Sequence, residues 1–214
     1  VPQFTDMYSQ IGSDLPPITV AIVSLSDFLS ENIFYVILVI IAIAVILSIM
    51  YKNVTKFRYY VQLFAMHIPV IKNIIIYNEV IMFTKTFASL INYDVFITDS
   101  MEILGKITNN EIYKLLIRDA VVNLSNGNSV SVAFKDNWAF PVIAYEMLVT
   151  GERTGRLGNM MDKVAEYYNT EQKNLIAQLK SLIEPVMIIF LAVIVGLVLL
   201  AVIVPMFNMY SEIT

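Results

Sequence analysis

The sequence predicts an all-α membrane protein in which a cytoplasmic helical bundle lies between two transmembrane helices. Two uncharged runs carry this prediction: Asn32–Tyr51, with 20 residues, and Pro185–Phe207, with 23. A helix rises about 1.5 Å per residue, so roughly 20 residues cross a hydrocarbon core of about 30 Å. Strands usually have about 3–10 residues, so runs of this length favour helices. The composition agrees, because 57% of the 214 residues are hydrophobic and only 15% are charged, against about 25% charged in soluble proteins.

Basic residues set the predicted orientation. All 14 Lys and Arg residues fall between Lys52 and Lys180, and none lies in either flanking segment. Because cytoplasmic segments next to a membrane are enriched in Lys and Arg, the centre is expected in the cytoplasm and both ends on the opposite side. The predicted organisation is an external loop (1–31), a transmembrane helix (32–51), a cytoplasmic helical bundle (52–183), a transmembrane helix (184–207) and an external tail (208–214).

Helical periodicity and turn residues divide the rest of the chain into elements. Asn109 or Asn110 is expected to cap one helix, Thr98 or Asp99 another, and Gly127 to supply a left-handed helix end. The predicted elements are a short helix over Ile18–Leu29, begun near Thr19 or Asp14, helices over Asn53–Met66, Ile71–Ile91, 98–106, 111–125 and 129–134, a helix opened by Phe140-Pro141 and ending at Thr150, a turn over Gly151–Gly155, and a long helix from Arg156 or Leu157.

The long helix has apolar residues at spacings close to a heptad seam, interrupted where Glu171 falls on it. It enters the second uncharged run through Glu184 and Pro185. Residues 157–207 are therefore expected to form one rod of about 75 Å, kinked at Pro185, where a backbone N–H is missing.

The residue inventory excludes most catalytic chemistry. The chain has no cysteine and one histidine, His67, so thiolate catalysis and Cys- or His-rich metal sites are excluded. We predict that the protein is not an enzyme and has no catalytic, cofactor or metal site. The acidic pairs Asp99/Glu102 and Asp162/Glu166 stand one helical turn apart and could face a divalent ion, but solvated helix faces are the simpler interpretation. Because no basic stripe is present, no nucleic acid contact is expected.

The two ends of the chain resemble each other. Residues 1–11 read VPQFTDMYSQI and residues 204–213 read VPMFNMYSEI, which match with one residue deleted. In the second copy this sequence closes a membrane helix. By analogy, Val1 is expected to follow another membrane helix, so that the full protein is a tandem duplication.

Several stretches resemble the inner-membrane platform proteins of type II secretion systems and type IV pili, the GspF/PilC type. Gly151-Glu152-Arg153-Thr154-Gly155-Arg156-Leu157 is similar to the G-E-x-T-G-x-L of that family, and Glu184-Pro185 follows about 27 residues later at the membrane entry. The opening Val1-Pro2-x-Phe4 with Leu15-Pro16 fits the family's external loop. One departure stands out: the family usually has a small-Gly-Val-Pro turn where this chain has Tyr93-Asp94-Val95-Phe96.

The resemblance implies the function. It implies three membrane helices and two cytoplasmic bundles in the full protein, of which this chain carries the second and third helices and the second bundle. The implied role is a non-enzymatic platform subunit that couples a cytoplasmic assembly ATPase to the movement of pilins or pseudopilins. Implied partners are that ATPase, pilins or pseudopilins, other inner-membrane subunits, membrane lipid and further copies of the chain. The long helix is the candidate connecting element.

The motif residues are the candidate partner contacts, namely Gly151, Glu152, Thr154, Gly155, Leu157, Glu184 and Pro185. Each acidic residue has a second interpretation. Glu152 either contacts the ATPase or another subunit, or it caps or salt-bridges locally. Glu184 either contacts a subunit or a pilin, or it caps the helix start or pairs with Lys180, one turn away. The motif lacks the Gly-Lys-Ser/Thr of a phosphate-binding loop, so it does not predict nucleotide binding.

Two other residues and one other function class were considered. His67 is interpreted as a juxtamembrane or bundle residue and not a metal ligand, and Trp138 as a packed loop anchor or a binding hot spot. A transporter or channel subunit is the alternative function, but such a pathway needs polar groups at mid-membrane, and the two runs offer only Ser48 and Gly196.

Overall fold

A computed structural model describes residues 17–212 and contains α-helices and one 3-10 helix, with no strand in this range. This confirms the all-α prediction. The helices are α1 (Pro17–Asn53), α2 (Thr55–Ala65), α3 (Ile71–Asn92), α4 (Ile97–Ile107), α5 (Glu111–Ser125), the 3-10 helix (Val130–Phe134), α6 (Val142–Thr154) and α7 (Leu157–Glu212). The calls at Asp14, Leu15-Pro16 and the first copy of the end repeat lie outside the described residues.

The chain divides into two compact units. Residues 49–179 form one, which we call the bundle unit, and the segments up to Ser48 and from Lys180 onward form the other. The second unit contains the most apolar parts of α1 and α7, and no residue in those windows is buried inside the protein. Apolar side chains without protein neighbours suit a lipid environment.

A third helix, α3, is also long and apolar enough to cross a membrane. It is less apolar than α1 and α7, and 33% of its window is buried inside the protein. Its buried face, from Ile76 to Ala88, packs in the core, while Lys72 and Lys85 lie on its other faces. This matches the helical spacing seen in the sequence, and α3 therefore builds the core of the bundle unit.

Aromatic side chains form the centre of that core. The ring of Phe83 on α3 lies 5.1 Å from the ring of Phe134 on the 3-10 helix and 5.8 Å from that of Phe140 before α6. Nearby, the hydroxyl of Tyr113 on α5 donates a hydrogen bond to the carbonyl of Ala139. Burial raises the pKa of Tyr113 well above its usual value, because the charged form would lose its water. The core thus ties α3 and α5 to the segment before α6.

Helix ends follow the predicted turn chemistry in two of three places. The Asn110 side chain accepts hydrogen bonds from the backbone N–H groups of Ile112 and Tyr113, at 2.9 and 3.3 Å, which confirms it as the cap of α5. Gly127 adopts the expected left-handed conformation, with φ 76°. The predicted caps at Thr98 or Asp99 are wrong, because α4 begins at Ile97 and so includes both residues.

Predicted boundaries were also wrong near the first membrane run. The short helix predicted over Ile18–Leu29 and the run over Asn32–Tyr51 belong to one continuous helix, α1. No proline or glycine separates them, so nothing in the backbone chemistry ends the first before the second begins. At the other end, the helix predicted from Asn53 begins at Thr55.

Gln62 of α2 connects three other parts of the bundle unit. Its amide nitrogen donates to the Tyr51 hydroxyl at 3.1 Å and to the Asn109 carbonyl at 3.3 Å. Its amide oxygen accepts from the Glu111 backbone N–H at 2.8 Å. The nearby Glu111 carboxylate is mostly buried and pairs with Arg58 and with Lys114. These polar contacts fix α2 against α5.

His67 is a bundle residue, as predicted. Its Nδ1 lies 2.7 Å from the Leu63 carbonyl oxygen, and its ring lies 5.1 Å from the ring of Trp138. The Lys72 ammonium sits 6.0 Å from the centre of the same indole. Trp138 therefore packs against the loop after α2 and the start of α3 while keeping 44% of its surface exposed, which favours the loop-anchor interpretation.

Candidate partner-binding site

The G-E-x-T-G-x-L motif joins α6 to α7. The turn predicted over Gly151–Gly155 is wrong in extent, because Gly151 to Thr154 form the last turn of α6. Only Gly155 leaves the helix, with φ 65°, and the Arg156 N–H donates back to the Gly151 carbonyl at 2.9 Å. Glycine adopts this left-handed conformation without the strain of a side chain.

Gly151 is buried where α6 and α7 approach each other. A β-carbon at this position would lie 3.1 Å from the Leu157 Cα and 3.2 Å from the Met160 Cβ. These distances are shorter than ordinary van der Waals contact, so the first glycine of the motif is needed for close helix packing. Leu157, the last motif residue, is buried at the start of α7.

Glu152 bonds a part of the bundle unit that lies up to 22 residues earlier in the sequence. Its Oε1 accepts the Val130 backbone N–H at 2.6 Å, and its Oε2 accepts that of Ser131 at 3.3 Å. These N–H groups begin the 3-10 helix, whose own N-cap residue, Ser129, makes no capping side-chain bond. The capping interpretation of Glu152 is therefore confirmed, and a partner contact at this residue stays a prediction.

Replacing Glu152 by alanine is expected to lower the free energy of unfolding by about 1–2 kcal/mol, the usual loss for a helix cap. Glu152→Gln keeps one acceptor oxygen, so a smaller loss is expected. Urea unfolding of the detergent-solubilised chain, followed by Trp138 fluorescence, measures both. Glu146→Gln is the matched control, because the Glu146 side chain makes no hydrogen bond or ion pair with the described residues. Equal stability of Glu152→Ala and wild type would contradict the capping role.

A cleft of about 710 Å³ opens beside the motif. It lies where the end of α3 and the start of α4 meet the α6–α7 junction. Its lining residues are Ile91, Asn92, Asp94, Ile97, Ser129, Glu152, Gly155, Arg156, Leu157, Gly158 and Asn159. We call it the motif cleft. Four of the motif positions thus contribute to one concave surface, namely Glu152, Gly155, Arg156 and Leu157.

Asn92 fixes one wall of the motif cleft. Its amide donates to the Asp162 carboxylate at 3.0 Å, which joins the end of α3 to α7. Gly158 of α7 lies directly under this amide, since a β-carbon there would stand 2.0 Å from the Asn92 Oδ1. Asp162 is therefore engaged in holding two helices together.

Two aromatic side chains beside the motif cleft were missed by the sequence reasoning. Tyr93 and Phe96 are 82% and 77% exposed, and they flank the cleft residue Asp94 in the α3–α4 turn. Asp94 has φ 59°, the left-handed conformation that suits the glycine expected in this turn. The signal was present, since aromatic residues stood where the family resemblance expected a small residue and a proline.

Thr154, Glu184 and Pro185 stand apart from the motif cleft. The Thr154 hydroxyl donates to the Thr150 carbonyl at 2.8 Å within α6. Glu184 and Pro185 lie in the other unit, where both are exposed and α7 continues through Pro185. The predicted Glu184–Lys180 ion pair is absent from the described part of the chain. A subunit contact at Glu184 stays a prediction.

The acidic pairs at Asp99/Glu102 and Asp162/Glu166 gain no further ligands. Within residues 17–212 no group of three or more His, Asp or Glu side chains is placed to hold a metal ion. Beside the motif, the described surface combines a concave wall of mixed charge with two exposed aromatic rings.

A known protein family matches the part of the chain that contains this site. The sequence model for protein F of the type II secretion system (T2SS) matches residues 83–205, more than half of the chain. The chain belongs to the type II secretion system protein F family. The matched range includes the motif, both aromatic residues beside the cleft and the apolar part of α7. The resemblance seen in the sequence is thereby confirmed.

Curated relatives of this protein F family member include proteins named for type IV pilus assembly and for type II secretion. The type IV pilus assembly protein PilC of Pseudomonas aeruginosa is 29% identical over 98% of this chain and 56% of its own length. PilC of Thermus thermophilus is 28% identical over 100% of this chain and 53% of its own length. The type II secretion system protein F of Pseudomonas aeruginosa is 22% identical, covering 98% and 51%. The chain spans about half the length of the curated relatives it matches.

Proposed function

We propose that this chain is part of an inner-membrane platform subunit of a type IV pilus or type II secretion machine. The membership in the protein F family is the observation that carries this proposal. The names of the relatives, pilus assembly and type II secretion, support it. The proposed role is non-enzymatic: the subunit transmits the work of a cytoplasmic assembly ATPase to pilins or pseudopilins, together with other subunits and further copies of itself.

The proposed topology places the bundle in the cytoplasm. It rests on the confinement of all Lys and Arg to residues 52–180 and on the lack of buried residues in the apolar windows of α1 and α7. Residues 52–183 then form the cytoplasmic domain, the runs 32–51 and 184–207 cross the membrane, and 1–31 and 208–214 are external. A cysteine-accessibility experiment on the cysteine-free chain checks each segment.

The motif cleft is the proposed docking site for the ATPase. Leu157 precedes Leu179, the last residue of the bundle unit on α7, by 22 positions, or about 33 Å of helix. The residues that line the cleft all lie within the bundle unit, near the start of this helix and not at its exit from the unit. Exposed aromatic residues such as Tyr93 and Phe96 are typical anchors of protein interfaces. The mixed charges of Asp94, Glu152 and Arg156 suit polar contacts around them.

One helix is the proposed route of transmission. α7 begins at the last motif residue, Leu157, and the same helix contains the membrane run from Pro185. A displacement imposed at the α6–α7 junction acts on this helix directly. Gly151 supports the proposal, because the close packing there leaves little room for α6 to move independently of α7.

The test separates docking from folding. In cells that assemble the machine, Tyr93→Ala combined with Phe96→Ala is expected to abolish ATPase co-purification with this subunit and to lower surface piliation or secretion at least tenfold. Protein level and Trp138 fluorescence should match wild type, because both rings are exposed. Tyr60→Ala is the matched control, since Tyr60 is 66% exposed and does not line the motif cleft.

Each negative outcome has one meaning. Normal co-purification and normal assembly in the double variant would show that Tyr93 and Phe96 are not part of the docking site. Loss of co-purification in the Tyr60 control to the same degree would show that the effect is not specific to these two residues. Separate substitution of Glu152 and Gly155, with protein level controlled, then asks whether the motif itself takes part.

A further inference from the structure

A second cleft, of about 410 Å³, lies in the bundle unit between α2, α3 and the loop before α5. None of its lining residues is shared with the motif cleft. The apolar lining residues are Val61, Ala65, Ile74 and Ile75, and the polar ones are Tyr51, Gln62, Asn78, Glu79, Asn109, Asn110 and Gln172. We call it the Glu79 cleft.

Glu79 is the one charged residue that lines this cleft, and its carboxylate is unpaired. Its Oε2 is buried and accepts no hydrogen bond from the described residues. Burial raises the pKa of Glu79 to about 7, because the ionised form loses water without gaining a partner. Glu111 shows the contrast, since its carboxylate pairs with both Arg58 and Lys114.

The chain itself supplies no cation for Glu79. Every Lys and Arg of the protein falls within the described residues, between Lys52 and Lys180, and none lines the cleft. Burying a carboxylate without a counter-ion is unfavourable by several kcal/mol unless it becomes protonated. A cation that enters the cleft would therefore stabilise the ionised form of Glu79, which has no other counter-ion there.

We propose that the Glu79 cleft binds a lysine side chain from a segment of a partner protein. The ammonium pairs with the Glu79 carboxylate, and the four methylene groups of the stem lie against the apolar lining, including Ile74 and Ile75. The side-chain amides of Asn78, Asn109 and Gln172 can bond the backbone of the bound segment. The apolar lining beside the carboxylate suits the four-carbon stem of lysine, which carries one compact charge at its end.

A divalent metal ion is the less suitable occupant. Calcium takes six to eight oxygen ligands and magnesium six, usually with more than one carboxylate. This cleft offers a single carboxylate, and its other polar groups are a tyrosine and neutral amides. The apolar wall beside Glu79 also has no role in metal binding, whereas it suits a methylene stem.

The first experiment measures lysine recognition directly in the detergent-solubilised chain. The infrared carbonyl band of protonated Glu79, identified by its absence from Glu79→Gln, is followed from pH 5 to 8. The probe is Nα-acetyl-lysine N-methylamide, and the matched control is the norleucine analogue, which has the apolar stem without the charge. Tyr113 on α5 keeps its proton over this range, because burial raises its pKa well above the usual value.

The lysine probe is expected to lower the pKa of Glu79, since pairing favours the ionised form, and to act at concentrations at least tenfold below any effect of the norleucine analogue. Three outcomes would overturn the proposal: equal effects of the two probes, no effect of either, or an equal effect of Ca²⁺ or Mg²⁺ at the same concentration. Trp138 fluorescence of Glu79→Gln checks that the variant is folded.

The second experiment asks whether a partner protein supplies the lysine. A carbodiimide joins a carboxylate to an amine in direct contact, and mass spectrometry of membranes with the assembled machine locates the bond. Glu79 is expected to be joined to a lysine of a partner chain, and Glu79→Gln to remove this product while Glu102→Gln, at an exposed position on α4, leaves it. A bond only to this chain's own lysines, or none while Glu102 reacts, would overturn the proposal. The outcome is independent of ATPase docking at the motif cleft.

Discussion

Phe83→Ala is expected to lower the free energy of unfolding by about 3–5 kcal/mol, the usual range for removing a buried aromatic side chain. Phe83 is fully buried, and its ring contacts those of Phe87, Phe134 and Phe140. The substitution leaves a cavity where α3 meets the 3-10 helix and the segment before α6. This loss is a large part of the free energy of unfolding of a typical domain, which is about 5–15 kcal/mol. The bundle unit is therefore expected to unfold partly at growth temperature.

The measurement is urea unfolding of the solubilised chain, monitored through Trp138, the single tryptophan, which lies in the bundle unit. Phe96→Ala is the matched control, because it removes the same side chain from a position that is 77% exposed. Its expected change is within about 0.5 kcal/mol. A loss below about 1 kcal/mol for Phe83→Ala would mean that the aromatic cluster does not hold the bundle together.

Gly151→Ala is expected to lower the free energy of unfolding by about 1–3 kcal/mol, although alanine favours helix more than glycine does. The added methyl group would press on the Leu157 backbone at 3.1 Å, and backbone cannot move aside as a flexible side chain can. α6 and α7 must therefore separate at the motif. The same displacement is expected to reduce piliation or secretion beyond the effect of the stability loss.

Gly105→Ala on α4 is the matched control. Its β-carbon would meet the Ile117 side chain at 3.6 Å, an ordinary contact, so the helix-propensity gain of up to about 1 kcal/mol should remain. The two alanine variants should thus change stability in opposite directions. Thermal unfolding of both in the same detergent gives the comparison. If Gly151→Ala were as stable as Gly105→Ala, the close packing of α6 against α7 would not constrain the motif.

Sequence reasoning succeeded where the deciding physics is local. Uncharged runs of 20 and 23 residues marked the parts of α1 and α7 without protein neighbours. The Asn110 cap depends on residues two and three positions later, and the left-handed Gly127 depends on its own missing side chain. Such features can be predicted from a short window of sequence.

Features that depend on distant residues were left open by the sequence or were predicted wrongly. Glu152 bonds N–H groups 21 and 22 positions earlier, and no local pattern distinguishes this cap from a free acidic residue. Gly151 was assigned to a turn because glycine usually marks one, but packing against Leu157 holds it in α6. The unpaired state of Glu79 depends on where every basic residue lies, and only the fold determines that.

The hydrogen bonds of Gln62 have a consequence for how the protein is made. Gln62 and its partners at Asn109 and Glu111 are 47 and 49 residues apart. As the ribosome extends the chain, α2 emerges soon after α1 but has to wait for α5 before these bonds can form. Contacts between distant residues form slowly and leave apolar surface exposed meanwhile. We therefore expect α2 of the nascent chain to depend on protection by chaperones or by the membrane surface until α5 has been made.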